Sequence, residues 1–425
     1  MPKQSVSIAY ILQVYPGPTS TFIYREVLKL RERGFFVHTF STERPDIASL
    51  SMEAKPLVEE TFYIFPIPWL SLVLVHLRYL FCCPLRYLRT LIFVLTRPGE
   101  SLNNRRRTLI HFVLGMLTVR EIERLHLDHI HAHFGWGPSS IALIASRMLD
   151  IPFSVTFHAF HSKKVAYPGR LLVEDKIRYA RFIVSISEYH RAFLKTLVPE
   201  DNVADKIHVI HQGLDPLVFM PSPGVRLDND KFTLVSVGQL IYCKGFHVLI
   251  EACHHLAERD ISFCCRIFGE GPERNHLEEL IDRYNLQDHV LLPGRIDQKE
   301  LHPLLNQVDA FVLPCVKDEK SNRQDGLPVV LTEAMAMELP VISTTISAIP
   351  ELIAHERNGL LAPPNDAITL ADLLQRLKND PVLRQKLGKA GRETVVNKFN
   401  IDNSMDQLAD LFISSVQPNN GILYG

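Results

Sequence analysis

Residues 232–256 read FTLVSVGQLIYCKGFHVLIEACHHL. A run of Phe, Thr, Leu and Val stops at Gly238, a loop carries Lys244 and Gly245, and apolar residues then recur at 248, 249, 252, 253 and 256. Short apolar runs rich in β-branched residues build strands, whereas apolar residues three and four apart build a helix packed on a sheet. Strand, glycine turn and crossover helix together are the unit of a parallel, doubly wound α/β sheet. The helical period also accounts for Cys253, His254 and His255 as ordinary helix positions rather than a metal site.

The alternation occurs in two series. Strands are predicted at SVSIAYIL, FVHTFS, HIHAHF, FSVTFH, FIVSIS and IHVIHQG in the first half, and at FTLVSVG, FCCRIFG, VLLPG, AFVLPC and PVIST in the second. Two such series imply two doubly wound domains. A chain of 425 residues agrees, because it exceeds what one core usually organises. Residues 216–230, rich in Pro, Gly and Asp, are the expected linker, giving domains over 1–215 and 216–399.

Charge is nearly balanced, with 46 basic and 47 acidic residues, which argues against a nucleic-acid binder and a disordered chain. The seven cysteines form no CxxC pair and sit mostly in apolar runs, the pattern of reduced, buried thiols in a cytoplasmic protein. The first residues, MPKQSVSIAYILQVYPG, read as a strand rather than a signal peptide. Residues 64–77, IFPIPWLSLVLVHL, are strongly apolar but stop at Arg78, short of the roughly 20 residues a spanning helix needs. From Arg78 to Arg107 there are seven arginines and one acid, Glu100. Residues 64–107 therefore fit a basic amphipathic surface on an anionic membrane, on its cytoplasmic face. They fit equally an all-helical insertion packed on the sheet with snorkelling arginines.

Doubly wound sheets bind ligands at the carboxyl ends of their strands. Three such ends in the second half carry suitable chemistry. The loop from Gly238 through Gln239 to Lys244 combines a glycine, a helix start and a positive charge suited to a diphosphate, though such loops often only cap a helix. The turn at Gly269 and Gly271 is either a nucleotide-site turn or a plain structural one. The run DGLPVVLTEAMA, 325–336, is more specific: it sets Asp325 and Glu333 eight residues apart around a Gly326-Leu327-Pro328-Val329 turn. Carboxylates accept hydrogen bonds from neighbouring hydroxyls, and turn amides meet phosphate. The plainer reading is an acidic cap followed by a solvated helical Glu.

In this order and spacing, VGQLIYCKGFHVLIEA, FGEGPE, VLLPG, DAFVLPC, DGLPVVLTEAMA, LPVIST and IPELI resemble the C-terminal domain of the family 4 retaining glycosyltransferases of the GT-B fold. YPGPTSTFIYREVLKLRERGF, HAHFG, FSVTFHAF, VSISEYHRAFL and IHVIHQGLDPLVFMP are similar to the members of that family that build exopolysaccharides. The resemblance implies two Rossmann-like domains facing each other across a cleft, the first for the acceptor and the second for a nucleotide-sugar donor. It further implies a last helix, about 400–425, packed back on the first domain. Lys244 would bind donor phosphate, Glu333 the ribose, Asp325 the transferred sugar, and residues 326–329 the sugar and phosphate through their amides. Gly238, Gln239, Gly269, Gly271 and Arg295 would complete the donor site. His158, in VTFHAF, would point into the cleft near the reacting sugar; read alone, a strand-end histidine is a structural hydrogen-bonder. Thr19, Ser20, Thr21, His131 and His133 fall on the acceptor side, where the histidine pair can also simply close the sheet. The family works without cofactor or metal, and no DxD motif serving a divalent cation stands out. A saccharide or lipid-linked saccharide acceptor is expected.

This chain departs from the family in three places. Gln239 stands where arginine is usual, Asp325 replaces a glutamate, and Glu338 occupies a common glycine position. Arg295 or Arg323 is a candidate for the missing charge, and a silent sugar-nucleotide-binding subunit is the alternative function.

Overall fold

The computed structural model describes residues 6–17, 21–97, 101–158, 172–198, 201–222 and 231–416. They form two parallel sheets. The first contains β1 (Ser7–Val14), β2 (Phe36–Glu43), β3 (Phe62–Tyr63), β4 (His129–His133), β5 (Phe153–Phe157), β6 (Phe182–Ser185) and β7 (Ile207–Val209). Its order is β3-β2-β1-β4-β5-β6-β7, with Ile8 opposite Val37 on one side and His129 on the other. The second contains β8 (Phe232–Val237), β9 (Phe263–Phe268), β10 (Val290–Gly294), β11 (Ala310–Val312), β12 (Val341–Thr344) and β13 (Leu360–Ala362), in the order β10-β9-β8-β11-β12-β13. Every strand expected from the sequence is present. β3 and β13 are additional.

Both orders reverse direction once, between β1 and β4 and between β8 and β11. In an open α/β sheet that reversal opens a crevice at the carboxyl ends of the two strands. The fold therefore has two switch points, and the candidate residues gather at them.

The strands are buried on both faces, so they read as apolar runs rather than alternating ones. One core fills the second half, and two lie on opposite faces of the first sheet. The Ile401–Val416 helix returns to the first sheet, placing Met405, Leu408 and Phe412 in its core. Arg33 holds it from outside through Asp402 at 3.1 Å and Asp406 at 2.8 Å. The two chain crossings between the sheets run side by side: the Leu214 amide donates to Phe399 O at 2.7 Å and the Ile401 amide to Leu214 O at 3.0 Å. A Cβ on Gly213 would lie 2.3 Å from Ile401 Cα, so only glycine lets them approach.

Between β3 and β4 the chain forms three helices, Trp69–Cys82, Pro84–Leu95 and Leu102–Leu125. Among the described residues no single helix is long and apolar enough to cross a membrane. All seven cysteines are free; the expectation of burial fails at Cys82, which is exposed at the break between the first two of these helices.

Candidate active site

The second switch point brings together two loops that lie far apart in sequence. Gly238 and Lys244 follow β8, and Cys315 and Asp325 follow β11. The Lys244 ammonium donates to Asp325 Oδ2, and Cys315 Sγ lies 3.9 Å from the same oxygen. Burial disfavours both charges, but the pairing outweighs it: the Lys244 pKa is raised and the Asp325 carboxyl lowered from their ordinary values. The exposed Arg323 and the Gly326 amide add to the lowering of Asp325. A Cβ on Gly238 would meet Lys244 Cε and the Phe246 ring, each at 3.4 Å, so the glycine leaves room for the lysine stem.

Glu333 lies in the Val329–Ala336 helix, whose first turn follows Pro328 and has no side-chain cap. The Leu331 amide donates to Pro328 O at 3.0 Å, and the Val329 and Val330 amides ahead of it are open to an anion. Gly326, Leu327 and Pro328 are buried at the helix entry. Glu333 is 7% exposed, and among the described residues no hydrogen bond reaches its carboxylate. Burial raises its pKa from 4.5 to about 7, and Arg25, from the Thr21–Glu32 helix of the first half, pulls it partly back. A buried carboxylate of this kind can accept hydrogen bonds from the hydroxyls of a ligand.

Gly269 and Gly271 serve the backbone. Gly269 has φ +149°, and a Cβ there would lie 1.8 Å from Gly238 O; at Gly271 it would lie 2.3 Å from Leu240 O. The loops are stitched by Gly238 N to Phe268 O at 3.0 Å, Leu240 N to Glu270 O at 2.9 Å and Gly269 N to Gly294 O at 2.8 Å. We expect Gly269→Ala to cost about 2 kcal/mol, read as a lower urea midpoint, because the chain must separate the two loops to fit one methyl group. Gln239 and Arg295 are exposed, and among the described residues neither side chain has a hydrogen bond or ion pair.

At the first switch point a chain of hydrogen bonds fixes proton positions. Glu26 accepts from Tyr10 Oη at 2.8 Å and pairs with His133 Nε2 at 3.1 Å. A carboxylate only accepts, so His133 Nε2 carries the proton and Nδ1 is free to accept from His158 Nε2, 2.9 Å away. His158 Nδ1 then accepts from the Gln212 amide at 2.9 Å. Burial holds the His158 pKa well below the ordinary imidazole range, consistent with this neutral state.

His131 is fully buried, with its nitrogens on Ser154 Oγ at 2.7 Å and Thr156 Oγ1 at 3.0 Å. That corrects its assignment to an acceptor surface: it ties β4 to β5 inside the sheet. Glu26, His131 and His133 are close enough to hold a metal ion, yet each histidine nitrogen already has a hydrogen-bonding partner. Thr21 opens the Thr21–Glu32 helix; Thr19 and Ser20 lie outside the described residues.

The two halves touch beside these sites. Glu351 accepts from the Glu188 and Tyr189 amides at 2.9 and 2.8 Å, capping the Glu188–Lys195 helix, and Gln324 Nε2 donates to Tyr189 Oη at 2.9 Å. Sequence reasoning missed Arg25, Glu26, Gln212 and Gln324. Arg25 and Glu26 fall in the STFIYREVLK segment, where their adjacency on a strand-end helix was the available signal.

Comparisons with known proteins agree with this architecture. The family profile described as glycosyl transferases group 1 matches residues 222–394, and that described as glycosyltransferase family 4 matches residues 19–216. A protein of Escherichia coli provisionally named the colanic acid biosynthesis glycosyltransferase WcaL is 39% identical over 293 residues, covering 67% of this chain and 70% of that one. The amylovoran biosynthesis glycosyltransferase AmsK of Erwinia amylovora is 34% identical over 287 residues, covering 67% and 69%. The crystal structure of Anabaena HepE in complex with UDP superposes with a TM-score of 0.71 over 96% of this chain and 100% of that one, at 17% identity, a likeness of fold. This chain belongs to the family 4, group 1 glycosyltransferases and is a glycosyltransferase of the GT-B fold.

Proposed function

We propose that this enzyme moves a sugar from a nucleotide-sugar donor to a saccharide or lipid-linked saccharide acceptor in exopolysaccharide assembly, with retention of anomeric configuration. The observation that carries the donor part is the unpartnered, buried Glu333 carboxylate on the helix that follows the Asp325 loop, with Asp325 paired to Lys244 at the β8/β11 switch point. The relatives named for colanic acid and amylovoran synthesis support the pathway class. The UDP bound by HepE makes uridine donors the first to test.

In this reading Glu333 accepts from the two ribose hydroxyls, Lys244 meets the diphosphate, and Asp325 meets the transferred sugar. The amides of Gly326, Leu327 and Val329 share the phosphate charge, Pro328 having no N–H, and Gly238, Gln239, Gly269, Gly271 and Arg295 shape the pocket. Departure of the diphosphate builds negative charge on its leaving oxygen, which Lys244 and the helix amides stabilise while that oxygen takes the acceptor proton. Positive groups and helix amides suffice for this without a metal. His158 faces the reacting sugar from the first half. Both of its nitrogens are engaged, so a substrate hydroxyl reaches Nδ1 by displacing Gln212. Residues 1–215 take the acceptor, with Thr19, Ser20 and Thr21 on that side.

A thermal-shift series with nucleotide sugars, followed by turnover with the donor that binds, tests this. A true donor at a hundredfold excess over its Kd stabilises the fold by about 2.7 kcal/mol. A series with no shift removes the donor assignment, and a shift without turnover leaves the silent binding subunit.

Gln239→Arg should tighten free nucleoside diphosphate severalfold in calorimetry, because a charge-assisted hydrogen bond is roughly twice as strong as a neutral one. Unchanged or weaker binding would mean that Arg295 or Arg323 already supplies the charge.

A further inference from the structure

The Trp69–Cys82 and Pro84–Leu95 helices have an apolar face on each side. Leu72, Val75, Tyr79 and Val94 point into the core of the first half. Trp69, Val73, Leu77 and Leu80, spaced four, four and three residues apart, face outward, with Leu70, Leu74 and Phe81 beside them. The second helix continues the surface with Leu85, Leu88, Ile92 and Leu95 at the same helical spacing. Trp69 is 68% exposed, Leu85 70% and Phe81 77%. So many large apolar residues exposed together on two successive outer helices, with Arg78 and Arg89 among them, mark a contact surface rather than scattered exposure.

Charge identifies what the contact is. Residues 69–107 contain seven arginines and one acidic residue. Arg78, Arg86 and Arg97 pair with Glu123, Asp150 and Asp175, all from outside the segment. Arg89 and Arg106 are exposed, and among the described residues no carboxylate pairs with them. Arg105 donates to Leu95 O at 3.3 Å and Arg97 O at 2.8 Å, tying the basic start of the third helix to the end of the second. Exposed apolar residues accompanied by unpaired, exposed arginines match an anionic lipid surface, which offers hydrocarbon below and phosphate above. A second copy of this chain would set the same excess of positive charge against itself.

Length and angle decide how the segment would lie. Helices of 14 and 12 residues are about 21 and 18 Å long, and neither crosses a hydrocarbon core of roughly 30 Å. They meet at 115°, so they do not form one straight span. We propose that the Trp69–Cys82 and Pro84–Leu95 helices form an in-plane anchor that beds its apolar outer face into an anionic bilayer, with Arg89 and Arg106 at the headgroups. The first half of the enzyme is then held at the membrane with the face opposite these helices directed away from it.

The test uses the full chain and vesicles of equal parts phosphatidylglycerol and phosphatidylcholine, with pure phosphatidylcholine as control. The wild type should sediment with the anionic vesicles and release at high salt. In vesicles carrying brominated lipid, Trp69 emission should be quenched. Arg89→Gln with Arg106→Gln should weaken binding roughly thirtyfold, about fivefold for each arginine. Leu70→Ser, Leu74→Ser and Phe81→Ser together should abolish binding while leaving the melting temperature near the wild-type value, since all three positions are exposed. Wild type that stays in the supernatant, or both variants binding as wild type does, overturns the proposal. So does a dimer, seen by light scattering, that the three serines convert to monomer without any vesicle binding; that result assigns the face to a second copy.

Discussion

Glu333→Gln is expected to give a protein more stable than the wild type above pH 7 and nearly inactive at every pH. Burial raises the Glu333 pKa from 4.5 to about 7, so the folded state holds a proton that the unfolded chain releases near pH 4.5. The stabilisation from this held proton is complete below pH 4.5 and is lost as pH rises through 7. A displacement of this size corresponds to about 3 kcal/mol. Glutamine, neutral at all pH, avoids that loss. The difference in unfolding free energy between variant and wild type should therefore be near zero at pH 4.5 and approach about 3 kcal/mol above pH 8. The same proton competes with donor. Ribose hydroxyls stabilise the ionised carboxylate, so wild-type nucleotide affinity should fall up to tenfold per pH unit below 7. The phosphate also titrates near pH 6, so the variant, which retains that effect, isolates the Glu333 part. Loss of charge-assisted bonds should weaken nucleotide by at least about 2 kcal/mol and reduce transfer with it. Denaturation and calorimetry across pH check both halves, and a flat stability difference, or near wild-type turnover, would remove Glu333 from the role.

The exchange of stability for binding explains why this site was partly readable in the sequence. Asp325 and Glu333 belong to one loop and one helix, so their spacing shows in the primary structure. Lys244 follows a neighbouring strand and shows as a glycine-loop motif. The Tyr10–Glu26–His133–His158–Gln212 chain is different. Its members come from β1, the Thr21–Glu32 helix, β4 and the residues after β5 and β7, and only the parallel register of β1, β4 and β5 sets them side by side. No local period encodes that. The same holds for Arg25, which acts on Glu333 from the opposite half. The glycines at 269 and 271 illustrate the converse: the motif is plain in the sequence, but whether it meets ligand or backbone depends on Gly238 and Leu240, about 30 residues earlier. The strands were legible because burial on both faces makes them short apolar runs.

Asp325→Asn is expected to tighten free nucleoside diphosphate about tenfold while reducing transfer at least a hundredfold. Lys244 and Asp325 neutralise each other in the absence of ligand, so a diphosphate must compete with the Asp325 carboxylate for the ammonium. Asparagine keeps the shape and removes the competitor. A hydrogen bond between charged groups contributes roughly 1.5–3 kcal/mol, and the lower end applies here because the side chains remain 15% and 25% exposed. Lys244→Ala removes the phosphate partner itself and leaves Asp325 unpaired, so it should weaken the nucleotide and lower unfolding stability by about 2 kcal/mol, less than a fully buried pair would lose. The two halves of one ion pair thus have opposite effects on the same ligand. Transfer falls in both variants for separate reasons: Asp325→Asn loses the carboxylate that meets the sugar, and Lys244→Ala loses charge stabilisation on the leaving diphosphate. Calorimetric titration of UDP into the three proteins distinguishes them. Equal weakening in both variants would mean that the pair binds ligand as a unit, and it would sink the orientation that places Lys244 on phosphate and Asp325 on sugar.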